Sequence, residues 1–171
     1  MRAGLSLLAQ GGIDTVRVEP LAARLGVTKG SFYWHFKDRA DLHTAMLEAW
    51  RQLGTIDIID RVEAVRGSSA EQLRRLIELT SPNKKAVRLE TAARAWATVD
   101  GKAARVLAEI DHKRLDYVAQ LIVKNGSTPH EAKTKAKLLY LALIGSFFAN
   151  SSSELELTPA VWRDFADTIL L

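Results

Sequence analysis

The chain has 171 residues, 47% of them apolar and 26% charged, a balance that suits one or two folded domains and excludes a disordered chain. It contains no cysteine, which excludes disulfide staples, thiolate metal sites and cysteine nucleophiles. The net charge of +4 is compatible with an anionic partner, but how the charge is arranged along the chain says more than its sum.

Apolar residues recur at spacings of three and four, and the four prolines, Pro20, Pro82, Pro129 and Pro159, each fall where a helix should begin. An all-α protein is therefore predicted, with helices near 1–10, 18–25, 29–35, 39–65, 70–80, 85–98, 102–124, 129–149 and 159–170. Ser68-Ser69-Ala70-Glu71 reads as a capping box, and Asp38-Arg39-Ala40-Asp41 as a weaker acidic form of one. Thr128-Pro129 and Thr158-Pro159 read as a cap followed by a first-turn proline, which has no N–H to leave unpaired. Gly67, Gly101 and Gly126 punctuate the gaps between helices, and the serine-rich stretch Asn150–Glu156 reads as a loose connection.

The run Phe32–Phe36 concentrates four aromatic residues and a histidine in a chain only 7% aromatic. Alternation of Phe32, Trp34 and Phe36 would suit a strand, but no partner strand is visible, so a helix is the better reading. It follows Leu25-Gly26-Val27-Thr28, in which Gly26 can end one helix, Val27 can tuck into the angle and Thr28 can cap the next. The two form a helix-turn-helix, with Leu21, Ala22 and Leu25 facing inward from the first helix and Phe32 and Phe36 from the second. That leaves Lys29, Ser31, Tyr33, Trp34 and His35 facing outward. Thr28, Lys29 and Ser31 can donate to phosphates or base edges, Tyr33 offers a hydroxyl and a ring, and Lys37 and Arg39 follow as backbone clamps. Gly30 removes a side chain that would hold the helix away from a groove.

From Ala3 to about Trp50 the sequence AGLSLLAQGGIDTVRVEPLAARLGVTKGSFYWHFKDRADLHTAML resembles the DNA-binding domain of the tetracycline-repressor (TetR) family of bacterial transcription regulators. Leu25–Lys37 is its most diagnostic part. The resemblance implies an N-terminal three-helix DNA-binding domain over residues 1–46 and a helical effector-binding and dimerisation domain over 47–171. It implies a homodimeric, ligand-responsive repressor on a partly palindromic duplex operator. By position, Lys29, Gly30, Ser31, Tyr33, Trp34 and His35 match the recognition helix, and Arg39 matches a phosphate contact at the start of the fourth helix. Val18 and Glu19 match a position where relatives often carry a hydroxyl or basic residue. Glu19 cannot serve phosphate binding, so either it faces a cytosine amino group or that contact is absent, and Arg17 is placed to substitute for it. The family's first helix usually begins a turn or more before the position of Met1, after a basic arm, so the resemblance leaves open an N-terminus upstream of Met1.

Leu42, Met46, Ala49, Leu53 and Ile56 form one predicted stripe along the fourth helix, and Gly54 is placed either to let it bend or to no special effect. Leu139, Leu143 and Phe147, with the small residues Ala142, Gly145, Ser146 and Ala149, make the helix near 129–149 apolar over a wide arc. With Val161, Trp162, Phe165, Ile169 and Leu170 of the helix near 159–170, it supplies the expected dimer interface. Trp50, Trp96, His112, Tyr117, Tyr140 and Phe147 are the candidates for an effector pocket, although His112 in Asp111-His112-Lys113-Arg114 also reads as surface. Two classes compete, an enzyme and a helical protein–protein interaction module, of which the module is the more serious rival; no enzymatic activity and no cofactor are expected. The histidines, His35, His43, His112 and His130, are scattered without metal-ligand spacing, and no glycine-rich phosphate loop is present. The longest apolar run, Leu138–Ile144, carries Tyr140 and falls well short of the roughly 20 residues of a membrane span, and Met1–Ala9 lacks a signal-peptide pattern, so a cytoplasmic protein is expected.

Overall fold

The computed structural model describes residues 1–149 and 157–170. The predicted loose stretch Asn150–Glu156 lies outside the described residues, as does the side chain of Leu170. Among the described residues every regular element is helical: α1 Arg2–Gly11, α2 Val18–Leu25, α3 Lys29–His35, α4 Arg39–Arg51, α5 Asp57–Glu63, α6 Ser69–Thr80, α7 Lys84–Ala97, α8 Gly101–Lys124, α9 Pro129–Phe148 and α10 Pro159–Leu170. A 3₁₀ turn at Ile13–Thr15 precedes α2, and a π turn at Gln52–Ile56 joins α4 to α5. The aromatic run is helical, which removes the strand alternative.

The helices begin where their side chains can satisfy free N–H groups. Ser68 and Glu71 form the complete reciprocal box at α6, and Thr128 and Glu131 form a second at α9 with Pro129 in the first turn. At α4 the Asp38 carboxylate accepts from the Asp41 N–H at 2.8 Å, while the Asp41 carboxylate accepts from Lys37 N–H rather than closing the box on Asp38. Thr158 accepts from the Val161 N–H and caps α10.

The predicted single helix over 39–65 is interrupted. Leu42, Met46 and Trp50 are buried at a spacing of four, but the π turn then takes one extra residue, and the buried positions continue as Thr55 and Val62. Leu53, predicted on the stripe, is therefore turned outward and is 44% exposed. An α-helical period extrapolated through a π turn puts every later residue out by about a quarter of a turn.

The chain forms two compact units. The first comprises residues 1–53 and 85–108. Leu5, Leu8, Val16, Leu21, Phe32, Leu42 and Met46 are buried in it. α1 and α4 approach closely at Gly4, where an added Cβ would stand 3.0 Å from Met46 Sδ, so a larger residue there would require the methionine side chain to shift. The second unit comprises residues 54–84 and 109–171. Its core gathers Val62, Leu73, Ile77, Leu121, Ala132, Leu139 and Trp162, and the Trp162 indole N–H donates to the Ile77 carbonyl at 3.1 Å, pinning α10 to α6.

Candidate nucleic-acid interface

The turn between α2 and α3 is set by local chemistry. Gly26 adopts φ 66°, ψ 29°, the left-handed conformation that side-chain-bearing residues avoid. Its N–H reaches Ala23 O and the Val27 N–H reaches Ala22 O, the paired bonds of a Schellman stop. Thr28 then caps α3, its hydroxyl accepting from Ser31 N–H at 3.2 Å. These interactions fix the angle at which α3 leaves the turn.

Phe32 is 6% exposed and anchors α3 from within. Phe36, just past the end of α3, is half-buried with its ring 5.2 Å from that of Phe32. Two expectations for the inner face are corrected. Leu25 is 55% exposed and Val27 43% exposed, so neither fills the angle between the helices. Leu21 and Ala22 are covered, whereas the last turn of the eight-residue α2 extends beyond that cover.

All the residues predicted to face a duplex, Arg17, Thr28, Lys29, Gly30, Ser31, Tyr33, Trp34, His35, Lys37 and Arg39, are exposed and belong to the first unit. Trp34 is 83% exposed, an extreme value for the largest apolar side chain, and its ring meets His35 edge-on at 4.8 Å. A Cβ at Gly30 would meet only Thr28 Oγ1, at 3.6 Å. The fold itself does not require glycine there, so its effect is on the outward face of α3.

The basic groups differ in how they are held. Arg17 Nε donates to Asp14 O at 2.9 Å, and Arg39 donates to Ile13 O at 3.0 Å. Lys29 Nζ lies 2.7 Å from Glu19 Oε1, with both side chains 62% exposed. The bond from Lys29 holds the Glu19 carboxyl below the usual carboxylate range, helped by a backbone N–H, and the same bond raises the Lys29 ammonium. Sequence reading weighed a base contact for Glu19 and missed this pair, because the partner is ten positions away, on the next helix. Glu19→Gln frees Lys29 and removes a negative charge from this face. It is expected to strengthen duplex binding roughly fivefold and steepen the dependence on salt. Anisotropy titrations of the variant and parent at several salt concentrations check this, and an unchanged slope would contradict it.

The six effector-pocket candidates are divided between the units. Trp50 and Trp96, each 3% exposed, belong to the first. In the second, Tyr140 OH donates to Asp111 and accepts from Arg114 at 3.2 Å, and burial pushes its phenol up to about 12. Arg114 also donates to Thr55 Oγ1 at 3.0 Å and to Gly54 O at 3.1 Å, so the π turn is bonded to α8. Tyr117 OH donates to Glu63 at 2.8 Å, with its phenol raised mainly by burial, and Phe147 is 9% exposed. His112 takes the surface reading that its charged neighbours favoured over the pocket one. Its side chain is 79% exposed and pairs with Asp116 one turn along α8. A groove of about 520 Å³ is lined by Leu73, Arg74, Ile77, Glu78, Asn125, Arg163 and Asp167 together with Ala70, and none of the six lines it. Sequence reading passed over the buried pair Glu90 and Arg94 on α7, whose spacing of four was the available signal. Among the described residues no group of acidic or histidine side chains could hold a metal ion, and no helix is long and apolar enough to cross a membrane.

Residues 1–46 match the family model described as bacterial regulatory proteins, tetR family. The chain is 41% identical over 44 residues to the HTH-type transcriptional regulator AcrR of Shigella flexneri, covering 26% of this chain and 20% of that protein. It is 43% identical over 49 residues to the class A tetracycline repressor protein from transposon 1721 of Escherichia coli, covering 29% of this chain and 23% of that protein. The matched segment thus spans under a quarter of the length of either relative. Solved structures extend the likeness of fold to nearly the whole chain. A transcriptional regulator from Rhodococcus sp. superposes with a TM-score of 0.76 at 19% identity, covering 99% of this chain and 90% of that one. The regulator FadR from Bacillus subtilis in complex with stearoyl-CoA gives 0.70 at 12% identity, covering 99% and 95%. A transcriptional regulator from Saccharomonospora viridis in complex with choline gives 0.78 at 17% identity, covering 99% and 94%. Residues 1–46 are thus similar in sequence to the tetR family of bacterial regulatory proteins, and nearly the whole chain shares its fold with solved transcriptional regulators.

Proposed function

We propose that the protein is a ligand-responsive transcriptional regulator, a cytoplasmic repressor that binds a partly palindromic duplex operator as a homodimer. Residues 1–46 form its DNA-binding domain and 47–171 its effector-binding and dimerisation domain. The observation that carries this reading is α3, where a buried Phe32 and a capped first turn hold Tyr33, Trp34 and His35 against solvent. An exposed tryptophan is poorly accounted for in an isolated soluble chain and well accounted for by a surface that is covered on binding. The small, polar first turn, Thr28 to Ser31, lets α3 approach base edges, while Arg17, Lys37 and Arg39 are placed for phosphates.

Dimerisation is supported by the second unit. Leu138, Leu141, Gly145 and Phe148 recur on one face of α9, and all four are exposed. Val161 of α10 is also half exposed. A homodimer joined through this face carries two copies of α3, one per protomer, which suits an operator with two symmetric half-sites. Leu141→Glu places a charge on that face and is expected to shift the protein from dimer to monomer in sedimentation equilibrium at micromolar concentration. A variant that stays dimeric would contradict this interface.

The effector is a small molecule held in the second unit, with apolar packing supplying affinity and the Tyr140, Asp111 and Arg114 groups supplying polar contacts. Relatives bound to choline and to stearoyl-CoA show how far this fold's ligands range in chemistry. Selection of bound duplexes from a random pool tests the reading. Enrichment of a two-fold-symmetric sequence supports it, and no enrichment at low salt opposes it.

A further inference from the structure

We infer that His43 is a positioning residue for the operator contact: its neutral imidazole holds the guanidinium of Arg39 in place for the DNA backbone, and its ring is in turn set by Trp96 of α7. The inference rests on the DNA-binding reading above and adds to it a residue outside the helix-turn-helix and a dependence on pH.

The geometry lies entirely within the first unit. Arg39 Nε donates to His43 Nε2 at 3.3 Å, one turn along α4, and a second guanidinium nitrogen donates to Ile13 O at 3.0 Å. Two of the five guanidinium N–H groups are thus committed to the protein and three remain for a phosphate. An arginine fixed in this way gives up less rotamer freedom on binding than a free one. The His43 ring stands edge-on to the Trp96 indole, 5.1 Å between centroids at 73°. Trp96 is 3% exposed and donates to Asp100, so α7 defines where the imidazole sits.

The bond from Arg39 requires a lone pair on Nε2, hence a neutral ring with its proton on Nδ1. Protonated, the imidazole has only donors and faces a fixed cation. The charged groups around it are Arg39 on its own helix and Asp100 from the turn before α8. Lys102, at the start of α8, is bound to the neighbouring Thr44 hydroxyl at 2.6 Å. Burial first, and Arg39 second, lower the His43 pKa, while Asp100 acts in the opposite sense. The neutral form therefore prevails at pH 7 and is lost as pH falls below the ordinary imidazole value. Acid removes this contact.

The test uses a duplex recovered by selection, with His43→Leu, His43→Gln, Arg39→Gln and the double variant His43→Leu/Arg39→Gln, at fixed salt. At pH 7.5, His43→Leu is expected to bind roughly fivefold more weakly than the parent, whereas His43→Gln, which keeps an acceptor, stays within about twofold. Because His43 acts through Arg39, the double variant is expected to bind no more weakly than Arg39→Gln alone. At pH 5.0 the parent is expected to lose affinity relative to His43→Gln. The two proteins differ only at residue 43, so the other ionisable groups cancel from that ratio. Losses that add in the double variant, or a parent-to-glutamine ratio independent of pH, would overturn the inference. Should His43→Leu fail to fold by circular dichroism, the glutamine ratio alone decides. A parent that binds no duplex at pH 7.5 would overturn the regulator reading itself, a failure distinct from parent binding that is indifferent to His43.

Discussion

Replacing Tyr33 with alanine is expected to weaken operator binding by about a hundredfold or more while leaving the helical circular dichroism spectrum unchanged. Tyr33 is 57% exposed at the centre of α3, so its hydroxyl and most of its ring contribute little to the folded unit. Its ring meets that of Phe32 edge-on at 5.3 Å. A base-edge or apolar contact in the major groove is worth about 1–3 kcal/mol, and a dimer loses it at both half-sites. The two losses together give the expected factor. Anisotropy titration of both proteins on the same duplex, with spectra recorded alongside, checks the prediction. Parent-like affinity in the variant would remove α3 from the interface.

Phe32→Ala is expected to have the opposite signature, destabilising the fold first and binding only as a consequence. Phe32 is 6% exposed, with Tyr33 and Phe36 against its ring. Truncating a buried phenylalanine typically costs about 3–5 kcal/mol, because the lost contacts leave a cavity that neighbours only partly fill. In a reading head built from short helices that is a large share of the stability. A much lower urea midpoint is expected, recovered in part by Phe32→Leu. An unchanged midpoint with Phe32→Ala would mean that α3 is held in place by other groups. The adjacent pair thus separates the two faces of one short helix.

What could be read from the sequence was what short-range chemistry decides. Gly26, Thr28, Ser68 with Glu71 and Thr128 with Pro129 each act within four residues, and each does in the structure what its spacing implied, while Glu131 adds at α9 a reciprocal bond that the sequence reading did not include. The exposed face of α3 was legible for the same reason: over seven residues, helical spacing separates Phe32 from its neighbours. Leu25 and Val27 were misassigned because cover depends on where a helix ends relative to its partners, which spacing does not report. Leu53 was misplaced because nothing local announces the π turn. Arg114 bonds to that turn from sixty positions downstream. The pair of Lys29 with Glu19 and the edge contact of His43 with Trp96 join separate helices, and only the fold brings them together. His112 was drawn into the pocket set by its chemistry, although α8 turns it to solvent beside Asp116.

The central claim, that α3 presents a duplex-reading surface, is tested most directly by fluorescence anisotropy with a labelled duplex from upstream of the protein's own gene. A shuffled duplex of the same composition serves as reference, and both are titrated at 50 and 200 mM salt. Binding through several phosphates on each head predicts that affinity falls by about a thousandfold or more across that range. Sequence reading by Tyr33, Trp34 and His35 predicts that the shuffled duplex binds at least about a thousandfold more weakly. Equal binding of both duplexes, or binding insensitive to salt, would contradict the claim and leave the exposed aromatic face of α3 as a docking surface for another protein.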